Sequence, residues 1–184
     1  MEQPERLPSF RYHPDPVATG SVRADADAPC LNCSRVRGYV YTGSVWTDKP
    51  FILTDHLCPW CIADGSAARR FGATFNDTGA VDLPIGVREE IERRTPGYTA
   101  WQQEGWLACC GDGAAFFGPA GARELRERFP EAIAAIEGCL RDEYELSNAE
   151  LRAVFETLDV RSEPTAYVFR CLHCAAYLGY VDRA

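Results

Sequence analysis

Residues 30–61 read CLNCSRVRGYVYTGSVWTDKPFILTDHLCPWC, and this stretch decides the fold. It opens on Cys30-Leu31-Asn32-Cys33 and closes on Cys58-Pro59-Trp60-Cys61. A Cys-x-x-Cys turn can hold two sulfurs about 4 Å apart and pointing the same way, and two such turns supply the four thiolates of a tetrahedral zinc site. Twenty-four residues separate the pairs, slightly more than the usual linker of a zinc ribbon. Within them, residues 37–46 are rich in aromatic and β-branched side chains and are broken by glycine, which predicts a β-hairpin. A closed four-thiolate site has no vacancy. Cys30, Cys33, Cys58 and Cys61 are therefore expected to hold shape rather than to perform chemistry.

Cys58-Pro59-Trp60-Cys61 also fits a reversible disulfide, which needs only one such pair. Redox pairs follow a strand and open a helix in a βαβ context. A helix is expected here over 62–71, despite Gly65, but Asp55-His56-Leu57 is no clear strand and no parallel βαβ series is visible. The upstream pair gives these thiols a better use as ligands. His56 is placed to donate a hydrogen bond to a zinc thiolate or to lie on the surface.

A second site is expected from Cys109, Cys171 and Cys174. Phe169-Arg170-Cys171-Leu172-His173-Cys174, followed by an aromatic strand, has knuckle form. Its partner is less regular: Cys109-Cys110-Gly111-Asp112 carries aspartate where the second thiol of a pair would stand. The fourth ligand is Cys110 or Asp112, with His173 a third option. Three thiolates and an exchangeable fourth ligand would allow catalysis at this site. Cys139, among apolar residues of an expected helix, reads as a small hydrophobe.

Around these sites the chain is ordinary globular protein, 184 residues with 46% hydrophobic and 25% charged side chains. Residues 1–29, with five prolines, read as an extended N-terminal arm in which His13 and Asp15 fix turns rather than serve acid–base catalysis. A surface helix is expected over 84–94 and a strand over 105–108. Helical spacing of Leu125, Phe129, Ile133, Ile136 and Leu140, then the capping box Ser147-Asn148-Ala149-Glu150, predict a helical insertion over about 119–160. Strands are expected over 165–170 and 176–181.

The net charge is −8, and four thiolates with one zinc ion would take it to roughly −10. That argues against nucleic acid as a partner. Acids outnumber arginines nine to three over 130–163, a solvated helical surface or a docking face for a basic partner. The start lacks a basic and apolar leader and no run reaches membrane-spanning length, so a cytoplasmic protein without a membrane partner is expected. Nine cysteines, an odd number, suit a reduced compartment better than a disulfide framework.

Several strings are similar to the CbrC family. They are Phe10-Arg11-Tyr12-His13-Pro14-Asp15-Pro16, Arg37-Gly38-Tyr39-Val40-Tyr41, Leu57-Cys58-Pro59-Trp60-Cys61-Ile62-Ala63-Asp64-Gly65, Arg94-Thr95-Pro96-Gly97-Tyr98, Trp106-Leu107-Ala108-Cys109-Cys110-Gly111-Asp112 and Phe169-Arg170-Cys171-Leu172-His173-Cys174. Ala175 departs from the glycine common after zinc knuckles. The resemblance implies a bacterial cytoplasmic protein associated with tolerance to a nuclease colicin, and it implies no reaction and no catalytic residues. Nuclease domains are basic because they bind nucleic acid, and an acidic chain complements them.

The expectation is thus one α+β domain over 30–184 behind the arm 1–29, with small β-sheets and two zinc-ribbon-like knuckle sites. The first spans 30–61; the second joins 109–112 to 171–174. Two zinc ions per chain are expected. The leading function is a zinc-stabilised interaction protein that binds a basic partner, such as a toxin domain, in tolerance or immunity. The alternative is a zinc-dependent hydrolase-like or thiol-dependent enzyme at the second site.

Overall fold

The computed structural model describes residues 5–182, so the outermost residues of the arm and of the domain expected over 30–184 lie outside the described residues. The chain is α+β with small antiparallel sheets and two cysteine clusters of zinc-ribbon type. It divides into two compact units, Met1–Thr99 with Glu104–Trp106 and Ala100–Gln103 with Leu107–Ala184.

In the first unit β1 (Val22–Ala24) pairs with β2 (Tyr39–Tyr41), Val22 opposite Tyr41 and Ala24 opposite Tyr39. This corrects the hairpin expected within 37–46: only one strand forms there, and its partner comes from the proline-rich segment 1–29. The chain turns away after Tyr41 instead of pairing back. The Tyr41 hydroxyl donates to the Ser44 carbonyl at 2.8 Å. Gly43 lies so close to that ring that a Cβ would sit 2.4 Å from the hydroxyl oxygen. Trp46 then exchanges backbone hydrogen bonds with Thr74, 2.9 Å each way. Two helices, α1 (Pro59–Ala63) and α2 (Ser66–Phe71), replace the single helix expected over 62–71. Gly65 lies between them in the left-handed region at φ 72°, which glycine enters without Cβ strain. α3 (Ile85–Arg94) matches expectation. Phe10, Val22, Tyr41, Leu57, Ile62 and Phe75 form the core of this unit together with Cys30, Cys58 and Cys61.

In the second unit β3 (Ala108–Cys109) and β4 (Asp112–Gly113) form a short hairpin. Trp106, expected in the strand over 105–108, is instead buried in the first unit's segment beside Tyr98, ring centroids 5.9 Å apart. β5 (Ala115–Ala120), β6 (Thr165–Arg170) and β7 (Tyr177–Asp182) form a three-stranded sheet with β6 central. β5 corrects the start of the helical insertion. Pro119 ends an edge strand rather than opening a helix, and its missing N–H costs the sheet nothing there. The helices α4 (Ala122–Arg128), α5 (Ile133–Tyr144) and α6 (Asn148–Thr157) follow, with a 3-10 turn at Pro130–Ala132. The capping box forms as read: Ser147 Oγ accepts from Glu150 N–H at 3.4 Å, and Glu150 Oε2 accepts from Ser147 N–H at 2.9 Å. Leu125, Ile136, Leu140, Leu151 and Phe155 pack on Ala166, Val168 and Val181 of the sheet. Gly179 makes the approach of α5 possible, because a Cβ there would meet Ile136 Cδ1 at 2.4 Å.

The HPDP loop of the first unit holds a buried histidine. His13 Nδ1 lies 2.7 Å from the Pro96 carbonyl, so Nδ1 carries the proton and donates. Nε2, 2.7 Å from the Thr19 hydroxyl, is left to accept. Burial lowers the imidazole pKa from 6.5 to about 4, against the opposing pull of the Pro96 bond and Asp15. The unfolded chain binds this proton below pH 6.5 and the folded chain only near pH 4, so the stabilisation is complete above pH 6.5 and lost as pH falls toward 4. The loss amounts to about 3 kcal/mol. Denaturant unfolding from pH 7 to pH 4.5 should show the wild-type chain losing more stability than His13→Asn. A gap between the two that stays constant with pH would contradict this.

Candidate metal centres

Two groups of four cysteines have all four sulfurs within 4.8 Å of one another: Cys30, Cys33, Cys58, Cys61 and Cys109, Cys110, Cys171, Cys174. A tetrahedron of sulfurs 2.3 Å from a central zinc has edges of about 3.8 Å. Cys30 and Cys61 sulfurs lie 3.8 Å apart, Cys33 and Cys58 3.9 Å, and Cys109 lies 3.7 Å from both Cys110 and Cys174. None of these pairs is joined in a disulfide. Both clusters can hold a metal ion.

One half of each cluster is built by the same backbone turn. The amide of Cys30 donates to the carbonyl of Arg35, and that of Cys171 to the carbonyl of Ala176, at 2.9 and 2.8 Å. Both bonds close over five residues. The residue after the second cysteine is left-handed in each, Ser34 at φ 59° and Ala175 at φ 60°. This is the position where glycine is common, and both side chains here occupy it with strain.

The other halves differ. Cys58 is the N-cap of α1 with Pro59 at its first position, so Cys58 and Cys61 lie on the first helical turn. Cys109 ends β3, and Cys110-Gly111 is a two-residue hairpin turn with φ of 54° and 73°. Positive φ at both positions is the mark of a type I′ turn. It brings two adjacent sulfurs within 3.7 Å of each other, where one ion could take both. Among the candidates for the fourth ligand the structure thus brings Cys110, not Asp112, to the other three. Asp112 is buried and turned elsewhere: its Oδ1 accepts from Gly113 N–H at 2.8 Å, and its Oδ2 lies 2.8 Å from Nε2 of His173. His173 is thereby also directed away from the ligand set. His56 does not reach a sulfur by its Nδ1, which lies 2.7 Å from the Thr54 carbonyl. Cys139 lies on α5, half-buried, outside both clusters.

Two supporting residues escaped the sequence reading. Arg70 of α2 donates to the carbonyls of Leu31 and Asn32 in the first knuckle, at 3.1 and 2.6 Å. Asn32 Nδ2 donates to Ser66 Oγ at 2.8 Å. No spacing rule connects a knuckle to an arginine 38 residues away, so nothing in the one-dimensional pattern announced them.

Without a cation each cluster favours one thiolate. Cys30 is pushed far below the usual thiol value by the S–H groups of Cys58 and Cys61, which donate to it. Cys58 is pushed far above, first because it gives its proton to Cys30, and Cys61 rises to about 11 for the same reason. In the second cluster the amides of Cys174 and His173 donate to Cys171 and bring it to about 6, while Cys109 beside it rises to about 12. A redox pair needs only its own two thiols, whereas Cys58 has Cys33 3.9 Å away and Cys61 has Cys30 3.8 Å away.

A family model described as "Uncharacterised protein family (UPF0167)" matches residues 7–183. The chain belongs to the UPF0167 family. It is 49% identical over 184 residues to UPF0167 protein Mb2317 of Mycobacterium bovis, covering 98% of this chain and 96% of the relative. A protein of Mycobacterium tuberculosis, UPF0167 protein MT2352, matches to the same extent. UPF0167 protein PA1536 of Pseudomonas aeruginosa is 42% identical over 172 residues, covering 91% of this chain and 92% of its own. No solved structure matches the chain. These findings correct the family drawn from the sequence strings: the match is to UPF0167 and not to a family named CbrC. The names of the UPF0167 relatives carry no toxin, substrate or partner.

The strained turn gives a direct test of the shared knuckle geometry. Ala175→Gly should raise the stability of the UPF0167 chain by about 0.5–1 kcal/mol in denaturant unfolding, and Ala175→Val should lower it by about 1–2 kcal/mol. Equal stability of all three would mean that the turn is not left-handed in solution.

Proposed function

We propose that this UPF0167 protein is a non-catalytic, cytoplasmic interaction protein, held in shape by two zinc ions, that docks a basic protein partner. The observation that carries the reading is the closure of both clusters. Four sulfurs complete each set, and Asp112, the carboxylate beside the second, is engaged with His173 and Gly113. A closed tetrahedral four-thiolate set suits zinc and leaves no position for water or substrate. Thiols kept reduced for such sites fit the cytoplasm. No helix among the described residues is long and apolar enough to cross a membrane.

Asp142, Glu145, Glu150 and Asp159 are exposed on the helical segment of the second unit and supply the acidic face. A nuclease-type toxin domain has the positive surface such a face would bind, which keeps tolerance or immunity as the biological setting of this proposal. A second reading is favoured by one observation. Cys110 and Cys174 are exposed beside the His173–Asp112 pair, the setting a zinc-dependent hydrolase or thiol-dependent enzyme would use.

Metal analysis of protein purified without chelator should find two zinc ions per chain. After cobalt substitution the spectrum should be that of closed tetrahedral thiolate sites. Cys110→Ser should remove about one-eighth of the thiolate-to-cobalt charge-transfer intensity, and Asp112→Asn none. A water-bearing, five-coordinate site would support the zinc-dependent enzyme instead, and metal-free protein would sink both zinc readings and leave only the thiol-dependent enzyme.

Binding to a basic nuclease domain should weaken about tenfold or more between 50 and 300 mM salt. The triple reversal Asp142→Lys, Glu145→Lys, Asp159→Lys should abolish it. Binding indifferent to the reversal would remove this face as the docking site.

A further inference from the structure

The two clusters share one ligand chemistry and sit in opposite surroundings. Cys30, Cys58 and Cys61 are buried and Cys33 is half-buried. Three of the four belong to the hydrophobic core of their unit, with Leu57, Ile62 and Phe71, and Cys33 packs against it. In the second cluster only Cys171 is buried; Cys109 is half-buried, and Cys110 and Cys174 are exposed. None of these four belongs to the core of the second unit. Two residues of the second cluster are open to small solutes in water, while most of the first lies among apolar side chains.

An exposed thiolate with a second thiolate in reach is the arrangement that oxidants attack. Cys174 has Cys109 3.7 Å away, on a different turn of the chain. Cys110 has Cys109 at the same distance, but as its neighbour in sequence. Consecutive Cα atoms stand about 3.8 Å apart, shorter than the span of about 4.4–6.8 Å that disulfides usually bridge. Cys109 and Cys174, from β3 and the last knuckle, carry no such restriction. We propose that the second cluster is a hydroperoxide-sensitive metal site, in which oxidation joins Cys109 to Cys174 and releases the metal while the first cluster keeps its own. This rests on the reading that both clusters bind zinc.

The step balances as a two-electron oxidation. The Cys174 thiolate attacks one peroxide oxygen; the O–O bond breaks, hydroxide leaves, and the sulfur becomes a sulfenic acid. The Cys109 thiolate attacks that sulfur; the S–S bond forms, the S–O bond breaks, and a second hydroxide leaves. The two hydroxides take up two protons as water. The metal loses two of its four ligands and is left with Cys110 and Cys171, too few to retain it against water.

The test uses zinc-loaded protein and hydrogen peroxide, with a chromophoric chelator reporting released zinc. One zinc per chain should appear at least ten times faster than the second. Peptide mapping should then find the Cys109–Cys174 disulfide with Cys30, Cys33, Cys58 and Cys61 still reduced, and a dithiol reductant with added zinc should restore the site. A Cys139→Ser chain run alongside removes the ninth thiol and should behave alike. Release of both ions at one rate, release from the first cluster first, or retention of both with unmodified thiols would each overturn the inference while leaving the zinc reading intact. Protein that never held zinc would instead sink the reading beneath it.

Discussion

Four sulfurs held within 4.8 Å of one another cannot all carry charge unless a cation lies among them. The rest of the structure depends on how that constraint is met. Apart from the ten-residue α3, the first unit is made of short pieces: strands of three residues, helices of five and six. Pieces of that length are not stable alone. They gain stability by being tied together, and the Cys30–Cys61 cluster ties the knuckle, α1 and, through Arg70 and Asn32, α2 into one body. Cys30, Cys58 and Cys61 are then core side chains as well as members of a cluster that can hold a metal ion.

The second unit needs less of this. Its three-stranded sheet and three helices bury a contiguous apolar core of their own. The second cluster sits away from that core, clamping the β3–β4 hairpin to the turn between β6 and β7. The same knuckle turn is therefore used once inside a core and once at a surface. That contrast makes the first cluster a matter of folding and leaves the second open to solutes.

The legible parts of the fold were those whose cause is local. Knuckle spacing, the Ser147–Glu150 capping box, the strands flanking Cys171 and Cys174, and α3 each follow from a few neighbouring residues. What escaped reading depends on distant partners. Tyr39–Tyr41 looked like half of a local hairpin, yet its partner is Val22–Ala24. Pro119 was read as the start of the helical insertion, yet it lies in the edge strand Ala115–Ala120, where its missing N–H is tolerated. Arg70 became a support for the knuckle only once α2 was turned by Gly65.

The sequence by itself determined the α+β class and the presence of thiols at metal-ligand spacing, because thiol spacing and hydrophobic periodicity act over a few residues. It left the fourth ligand of the second site open between Cys110 and Asp112. Only the tertiary structure shows that Cys110 joins the other three sulfurs. A type I′ turn aims adjacent sulfurs at one point, and a histidine 61 residues away engages the aspartate. Exposure was likewise undecidable from spacing, since two Cys-x-x-Cys turns of the same spacing are packed differently by the rest of the chain.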